Sequence, residues 1–336
     1  MSPLVASVLS LALTASHVQA FRLTDPSNLS RRFRSLSAPH AVSPVSSEQA
    51  AQSLTDAEDL TFPELCKLFK ETLGEGDEPR AIIAKGGGAE VAPGVFHLGY
   101  HAKGTFGAAA YLVTGTPVGN VMIDCPRFSP ELRDALAALG GLDFILLSHT
   151  DDMDGHNTWA EAFPGCKRII HGIESRTGWN RNEQKPWECE VQLGDEQTDP
   201  SLKWAEGPGP WYIGGEPSLH VIHTPGHSKG HVTLRVSDRF LFTGDHLSLR
   251  RGRKLKPDDP QFLGFSLIYG EDFEEQERSV LKLAASEHPF RWILPGHGHP
   301  FQFSDDESRQ KLLKEAADIS NWREKDAVLT GKRRKS

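Results

Sequence analysis

The sequence predicts an α/β domain, and three observations lead there. From about Val91 the chain alternates between short apolar runs and helix-like stretches. Several of those runs end, with the same chain polarity, in His or Asp beside glycine. One of them, Phe144-Ile-Leu-Leu-Ser-His149-Thr-Asp151-Asp152-Met-Asp154-Gly155-His156, crowds two histidines and three aspartates behind an apolar segment. Carboxyl ends of buried strands border the crevice where α/β proteins gather ligands, so polar residues stacked there carry functional weight.

The elements follow in order. Gly94 to Tyr100 and Ala108 to Thr114 read as strands, rich in aromatic and β-branched residues. Thr116-Pro117-Val118-Gly119-Asn120 is a turn, and Val121-Met122-Ile123-Asp124 is a strand ending in aspartate. Ser129 caps a helix that opens at Pro130 and runs to Leu139, where Gly140-Gly141 stops it. The strand Phe144 to Leu147 leads to His149, a helix continues through Trp159 to Phe163, and Arg168 to His171 is the next strand. Residues 174–215 are polar and irregular, with Trp179, Trp187, Trp204 and Trp211 as either anchors of a long loop or a substrate wall. Leu219 to His223 is a strand that runs into a Pro-Gly turn presenting His227. His231 to Val236, Arg239 to Gly244 before Asp245, and Arg291 to Leu294 before Pro295-Gly296-His297 complete the strands. A last helix is expected from about Asp305 to Arg323.

The flanks read differently. Residues 1–20 resemble a signal peptide, with an apolar run from Leu4 to Thr14 that is too short to span a bilayer. Residues 21–50 are rich in Ser, Arg and Pro and poor in acids, as transit peptides are. Together they predict plastid import through a two-part leader, with a secreted protein as the alternative. Residues 51–88 form a helical preface, 89–304 the main domain, and 305–336 a C-terminal helix with a basic tail. The formal net charge of −8 and the lack of a basic domain argue against a nucleic-acid partner. No other stretch is apolar enough for stable membrane insertion, and the four cysteines form no CxxC pair.

Two explanations fit the His149 segment alone. Asp152 or Asp154 could cap the following helix in an ordinary polar turn. Alternatively, the histidines and carboxylates bind a metal ion such as Zn²⁺ or Fe²⁺. The recurrence of His or Asp beside glycine at His227, Asp245 and His297 favours the metal. His171, His223, His231 and His299 are expected to support ligands or pack in strands, and His101 and Lys103 to contact substrate.

These motifs, in this order from Val91 to Gln302, resemble the metallo-β-lactamase superfamily. The resemblance implies an αββα sandwich, two mixed β-sheets face to face with helices outside and the metal site at one edge. It implies His149, His227, Asp245 and His297 as ligands, and Asp124 as a support that binds no metal. The usual His-x-His-x-Asp-His motif is altered to His-x-Asp-Asp-x-x-x-His, as in a plant and bacterial subgroup of the superfamily. Asp151 then replaces a histidine ligand, while Asp152, Asp154 and His156 compete for the second-metal positions, with Asp152 and His156 preferred. An aspartate in place of histidine favours harder ions such as Fe²⁺ or Mn²⁺ over Zn²⁺. The implied activity is hydrolysis of an ester, thioester or lactone of a small molecule, by metal-bound hydroxide, with Asp245 and Asp152 as catalytic carboxylates and one or two Zn or Fe ions per chain. Two alternatives remain: a mononuclear iron dioxygenase of the persulfide type on His149, His227 and Asp245, and a non-catalytic metal-binding protein of the same fold.

Overall fold

The computed structural model describes residues 90–101, 108–177, 182, 185–251, 261–265, 269–285, 287, 289–298 and 300–318. The expected leader (1–50) and helical preface (51–88), Lys103, Trp179, His299 and the end of the tail lie outside these residues. No helix among the described residues is long and apolar enough to cross a membrane.

Two mixed sheets are present. The first runs in chain order: β1 (Glu90–Ala92), β2 (Val95–Tyr100), β3 (Ala109–Thr116), β4 (Gly119–Ile123), β5 (Phe144–Leu146), β6 (Lys167–His171) and β7 (Val191–Leu193). Its first four strands are antiparallel neighbours, and β4 to β7 are parallel. The second sheet contains β8 (Trp211–Tyr212), β9 (Leu219–His223), β10 (Val232–Val236), β11 (Phe240–Gly244), β14 (Trp292–Pro295) and β15 (Phe301–Gln302). In it β11 and β14 are parallel and the other neighbours antiparallel. A separate hairpin joins β12 (Ser248–Arg251) to β13 (Gln261–Gly264).

The side-chain period of two explains why the strands read as continuous apolar runs. Tyr111, Val113, Val121, Ile123 and Leu146 face one way and meet Val221, Leu234, Phe242, Trp292 and Leu294 of the other sheet. Their neighbours Leu112, Met122, Ile145 and Leu147 face outward. There they bury Leu132 and Leu136 of α1 (Pro130–Ala138) and Trp159 of α2 (His156–Ala162). Leu241 and Ile293 likewise cover Val280 and Leu283 of α4 (Phe273–Leu283) and Leu313 of α5 (Asp306–Ala317). A short α3 (Gly172–Thr177) follows β6. The result is the expected αββα sandwich.

Local signals hold at several ends. Ser129 accepts from the Leu132 amide at 3.1 Å with Pro130 opening α1. Two expectations are corrected. The C-terminal helix is described only from Asp306 to Ala317, and Asp318 already has extended backbone. The irregular region 174–215 contains edge strands β7 and β8, too short to show a period.

Two histidines outside the site make stability depend on pH. His97 is buried with Nδ1 accepting from the Gly99 amide at 3.0 Å, and burial lowers its pKa to about 3. His171 stacks on His223 with ring centroids 4.4 Å apart. Burial and the neighbouring His223 lower its pKa to about 3 as well. Both pKa values are depressed, so their contribution is present above pH 6.5 and is lost as pH falls towards 3. Together they should remove about 4 kcal/mol between pH 7 and pH 5. Urea midpoints at the two pH values check this, and equal midpoints would contradict it.

Candidate metal centre

The sheets deliver their functional residues to one edge because β2, β4, β5, β9, β11 and β14 all end there. The parallel pairs β4–β5 and β11–β14 align Ile123 with Leu146 and Gly244 with Pro295. Asp124, His149, Asp245 and His297 each follow one of those ends within three residues. Gly244, in the left-handed region at φ 47°, makes the approach possible, because a Cβ there would lie 2.5 Å from Ser148 Oγ.

The cluster centres on Asp245 Oδ2. His149 Nε2 lies 3.8 Å from it, His227 Nε2 3.7 Å and His297 Nε2 3.4 Å. Asp151 Oδ2 stands 3.7 Å from His149 Nε2 and 3.5 Å from His227 Nε2. Asp152 Oδ2 stands 3.8 Å from His149 Nε2 and 3.9 Å from His297 Nε2. Donor atoms of His149, Asp151 and His227 all lie within 4.8 Å of one another, as do those of His149, Asp152 and Asp245. Two ligands of one tetrahedral ion, each bound at about 2.0–2.1 Å, stand about 3.4 Å apart, so the spacing suits cations.

Electrostatics agree with that fit. His149 Nε2, Asp245 Oδ1 and Asp152 Oδ1 are buried without a hydrogen-bond partner, a costly state that a cation relieves. Burial and the neighbouring Asp152 raise the pKa of Asp245. Burial opposes a charged His149, but Asp245, Asp151, Asp152 and Asp124 outweigh it and raise its pKa to about 9. Burial also opposes ionisation of Asp151 and Asp152, yet the surrounding histidines hold both below the usual carboxylate range.

The tautomer of His149 is set from behind. Asp124, held at φ 55°, accepts from the Ser148 amide at 2.8 Å and from Ser148 Oγ at 3.0 Å. With that hydroxyl proton committed, Ser148 Oγ accepts from His149 Nδ1 at 2.9 Å. Nε2 is therefore the nitrogen that turns its lone pair to a metal once the ring gives up its second proton. Asp124 thus supports the site through Ser148. Ser148→Ala should weaken metal binding about 10–100-fold with the fold intact. Competitive chelator titration measures this, and unchanged affinity would show the relay to be idle.

Glu174 is a supporting residue that sequence reasoning missed. It is buried in α3, and its carboxylate accepts from Thr150 N and Oγ1, both at 3.2 Å, and from the Gly230 amide at 2.8 Å. It ties the His149–Asp152 turn to the loop carrying His227. Gly230 is small because a Cβ there would lie 2.7 Å from Glu174 Cγ. A lone glutamate 24 residues from Thr150 and 56 from Gly230 carries no local signal.

The family model of the metallo-beta-lactamase superfamily matches residues 104–297, more than half of the chain. The chain belongs to the metallo-beta-lactamase superfamily. Among solved structures, a metallo-beta-lactamase from Erythrobacter litoralis with beta-mercaptoethanol in its active site is 17% identical, at TM-score 0.45. The match covers 68% of this chain and 95% of that one. FIM-1 from Pseudomonas aeruginosa in the mono-zinc form is 14% identical, at TM-score 0.46, with 68% and 95% covered. TTHA1623 in a di-iron-bound form is 22% identical, at TM-score 0.37, with 58% and 90% covered. A search of curated proteins finds no match.

Within this superfamily fold, the altered motif sorts itself. His149, Asp151, Asp152, His227, Asp245 and His297 are brought together. His156 is not. It opens α2, and its Nδ1 lies 3.3 Å from the Arg168 guanidinium, which also binds Glu190. That correction has a backbone cause. Neither Asp152 nor Asp154 caps the helix; Gly155, at φ 83°, precedes it without a side-chain cap. The left-handed residue redirects the chain, so Asp152 and His156 share no helical face. Asp154 is exposed, and its carbonyl oxygen bonds His101 Nε2 at 3.2 Å. His101 is buried rather than open to substrate. His231 is buried behind His149, with ring centroids 5.3 Å apart.

Proposed function

We propose that the chain is a metal-dependent hydrolase that cleaves an ester, thioester or lactone of a small molecule at a two-ion centre. The observation that carries this is Asp245 Oδ2, within 3.4–3.8 Å of His149, His227 and His297 at once. One carboxylate oxygen shared by both halves of a cluster is the arrangement that two adjacent cations need. His149, His227 and Asp151 would hold one ion, Asp152 and His297 the other, with Asp245 common to both. Zn²⁺ or Fe²⁺ suits this donor set, and Asp151 in place of a histidine tilts it towards the harder Fe²⁺. When bound, such ions polarise a carbonyl and lower the pKa of water to about 7.

The chain's own residues do the rest. Three carboxylates, Asp151, Asp152 and Asp245, converge where one divalent ion would leave negative charge uncompensated. Asp151 and His297, each with side chains 33% exposed, border the open side where substrate enters. His149, with a side chain 1% exposed, forms the floor. The Asp124–Ser148 pair fixes its Nδ1 proton, so Nε2 does not exchange roles during turnover.

The test is metal analysis of the purified chain with two assays in parallel. Ester, thioester and lactone panels follow hydrolysis, and an oxygen electrode follows a persulfide substrate. Two ions per chain with hydrolysis is the expected outcome. One iron per chain with oxygen uptake and no hydrolysis would establish the dioxygenase instead. Metal uptake without turnover in either assay would leave a non-catalytic metal-binding protein.

A further inference from the structure

His297 is held differently from the other candidate histidines. The side chains of His149 and His227 are 1% and 6% exposed, so their surroundings fix them, whereas that of His297 is 33% exposed. It also sits between two glycines, Gly296 and Gly298. Glycine loses more conformational freedom on folding than any other residue, so a histidine flanked by two needs its backbone held from outside. Its Nε2 nevertheless stands 3.4 Å from Asp245 Oδ2 and 3.9 Å from Asp152 Oδ2. Packing of the imidazole alone does not account for that placement.

The anchors come from the opposite sheet. Within its own sheet the turn is joined to β11, where Pro295 pairs with Gly244 and the Gly296 amide donates to the Gly244 carbonyl at 2.8 Å. The two carbonyls that precede His297 are taken by β3 of the first sheet. The Tyr111 hydroxyl meets the Pro295 carbonyl at 2.9 Å, and a carbonyl only accepts, so the hydroxyl donates. The Ala109 amide, two residues earlier on β3, donates to the Gly296 carbonyl at 2.7 Å. Tyr111 is itself well fixed. It is buried, its ring packs edge-on against Phe242 of β11 with centroids 5.3 Å apart, and β3 pairs it with His97 and Ile123. The turn it grips has little slack, because a Cβ at Gly296 would lie 2.9 Å from Asp245 Oδ1. A small shift of the Pro295–Gly296 backbone therefore changes where His297 stands relative to Asp245.

We propose that Tyr111 is a positioning residue for His297: its hydroxyl, from the first sheet, holds the Pro295–Gly296 backbone of the second and so sets the affinity of the ion that His297 binds. This rests on the reading of His297 as a ligand given above, and it holds for a centre of one ion or two. The competing role is a merely structural one. A structural tyrosine stabilises the fold with or without metal, and its loss changes metal affinity no more when His297 is present than when it is absent.

The experiment titrates the metal-free full chain with Zn²⁺ against a chromophoric chelator, for the wild type, Tyr111→Phe, His297→Ala and the double variant. Removing the hydroxyl should weaken the ion that depends on His297 by about tenfold. In the His297→Ala background the same change should leave every measured affinity as it was, because a double-mutant cycle isolates the coupling between the two residues. Para-aminophenylalanine at position 111, whose amino group can donate to the same carbonyl, should recover the loss. Unchanged affinity in Tyr111→Phe, an equal loss with and without His297, or no recovery with the amino donor would overturn the assignment. Wild-type affinities in His297→Ala would instead remove His297 from the ligands, and the role of Tyr111 with it. A wild type that binds a single ion would count against the two-ion reading alone, and the cycle then reads Tyr111 on that ion. Should Tyr111→Phe lose its circular dichroism, para-fluorophenylalanine, which fills the space of the hydroxyl without a proton to donate, takes its place in the cycle.

Discussion

Asp245→Asn should abolish stoichiometric metal binding and with it any turnover. The substitution preserves shape and removes the one charged oxygen that lies within 3.8 Å of His149, His227 and His297. Breaking a buried charge set by removing one member costs about 3–5 kcal/mol. In binding terms that is roughly two to four decades of affinity. On the two-ion reading both ions should be affected, because Asp245 would be common to both. A change confined to His227, by contrast, should cost mainly the ion held with His149 and Asp151. Titration of the metal-free variant against a chromophoric chelator reads both affinities. Two ions held within tenfold of the wild type would show that Asp245 is not the shared ligand.

Glu174→Ala should be the most damaging single change away from the ligands. The carboxylate is buried and accepts three hydrogen bonds that join two loops. Removing it strands the buried Thr150 and Gly230 amides, at about 1–3 kcal/mol for each unsatisfied donor. A total of about 3–5 kcal/mol should lower Tm by about 10 °C or more for a domain of this size. The loops carry Asp151 and His227, so metal affinity should also fall, by about 10–100-fold. Glu174→Gln keeps one good acceptor and should fall between the two. Thermal melts with and without metal measure both effects. A Tm within about 2 °C of the wild type together with unchanged affinity would show that the Glu174 bonds add nothing.

The sequence by itself pointed to the αββα architecture, through its resemblance to the metallo-β-lactamase superfamily, and to four of the residues that the structure gathers in the candidate centre. Buried strands have a period of two, and parallel strands deliver their ends to one edge. Asp245 and His297, each just past an apolar run and beside glycine, and His149, just past an apolar run, therefore declared themselves, and His227 did so through its Pro-Gly turn. Asp124, at the end of an apolar run, was named as a support by the family resemblance. Only the tertiary structure decided among Asp152, Asp154 and His156. Their spacing is compatible with a shared helical face, but the left-handed Gly155 starts the helix too late for one, and Arg168 on β6 takes His156. The places of His101 and Glu174 were equally hidden. His101 lies 51 residues from Asp152 in the chain, and Glu174 meets partners on either side of it through β-sheet topology alone. Local sequence encodes backbone conformation and burial period. Contacts between chain segments that distant exist only once the two sheets have packed and brought strand ends to a common edge.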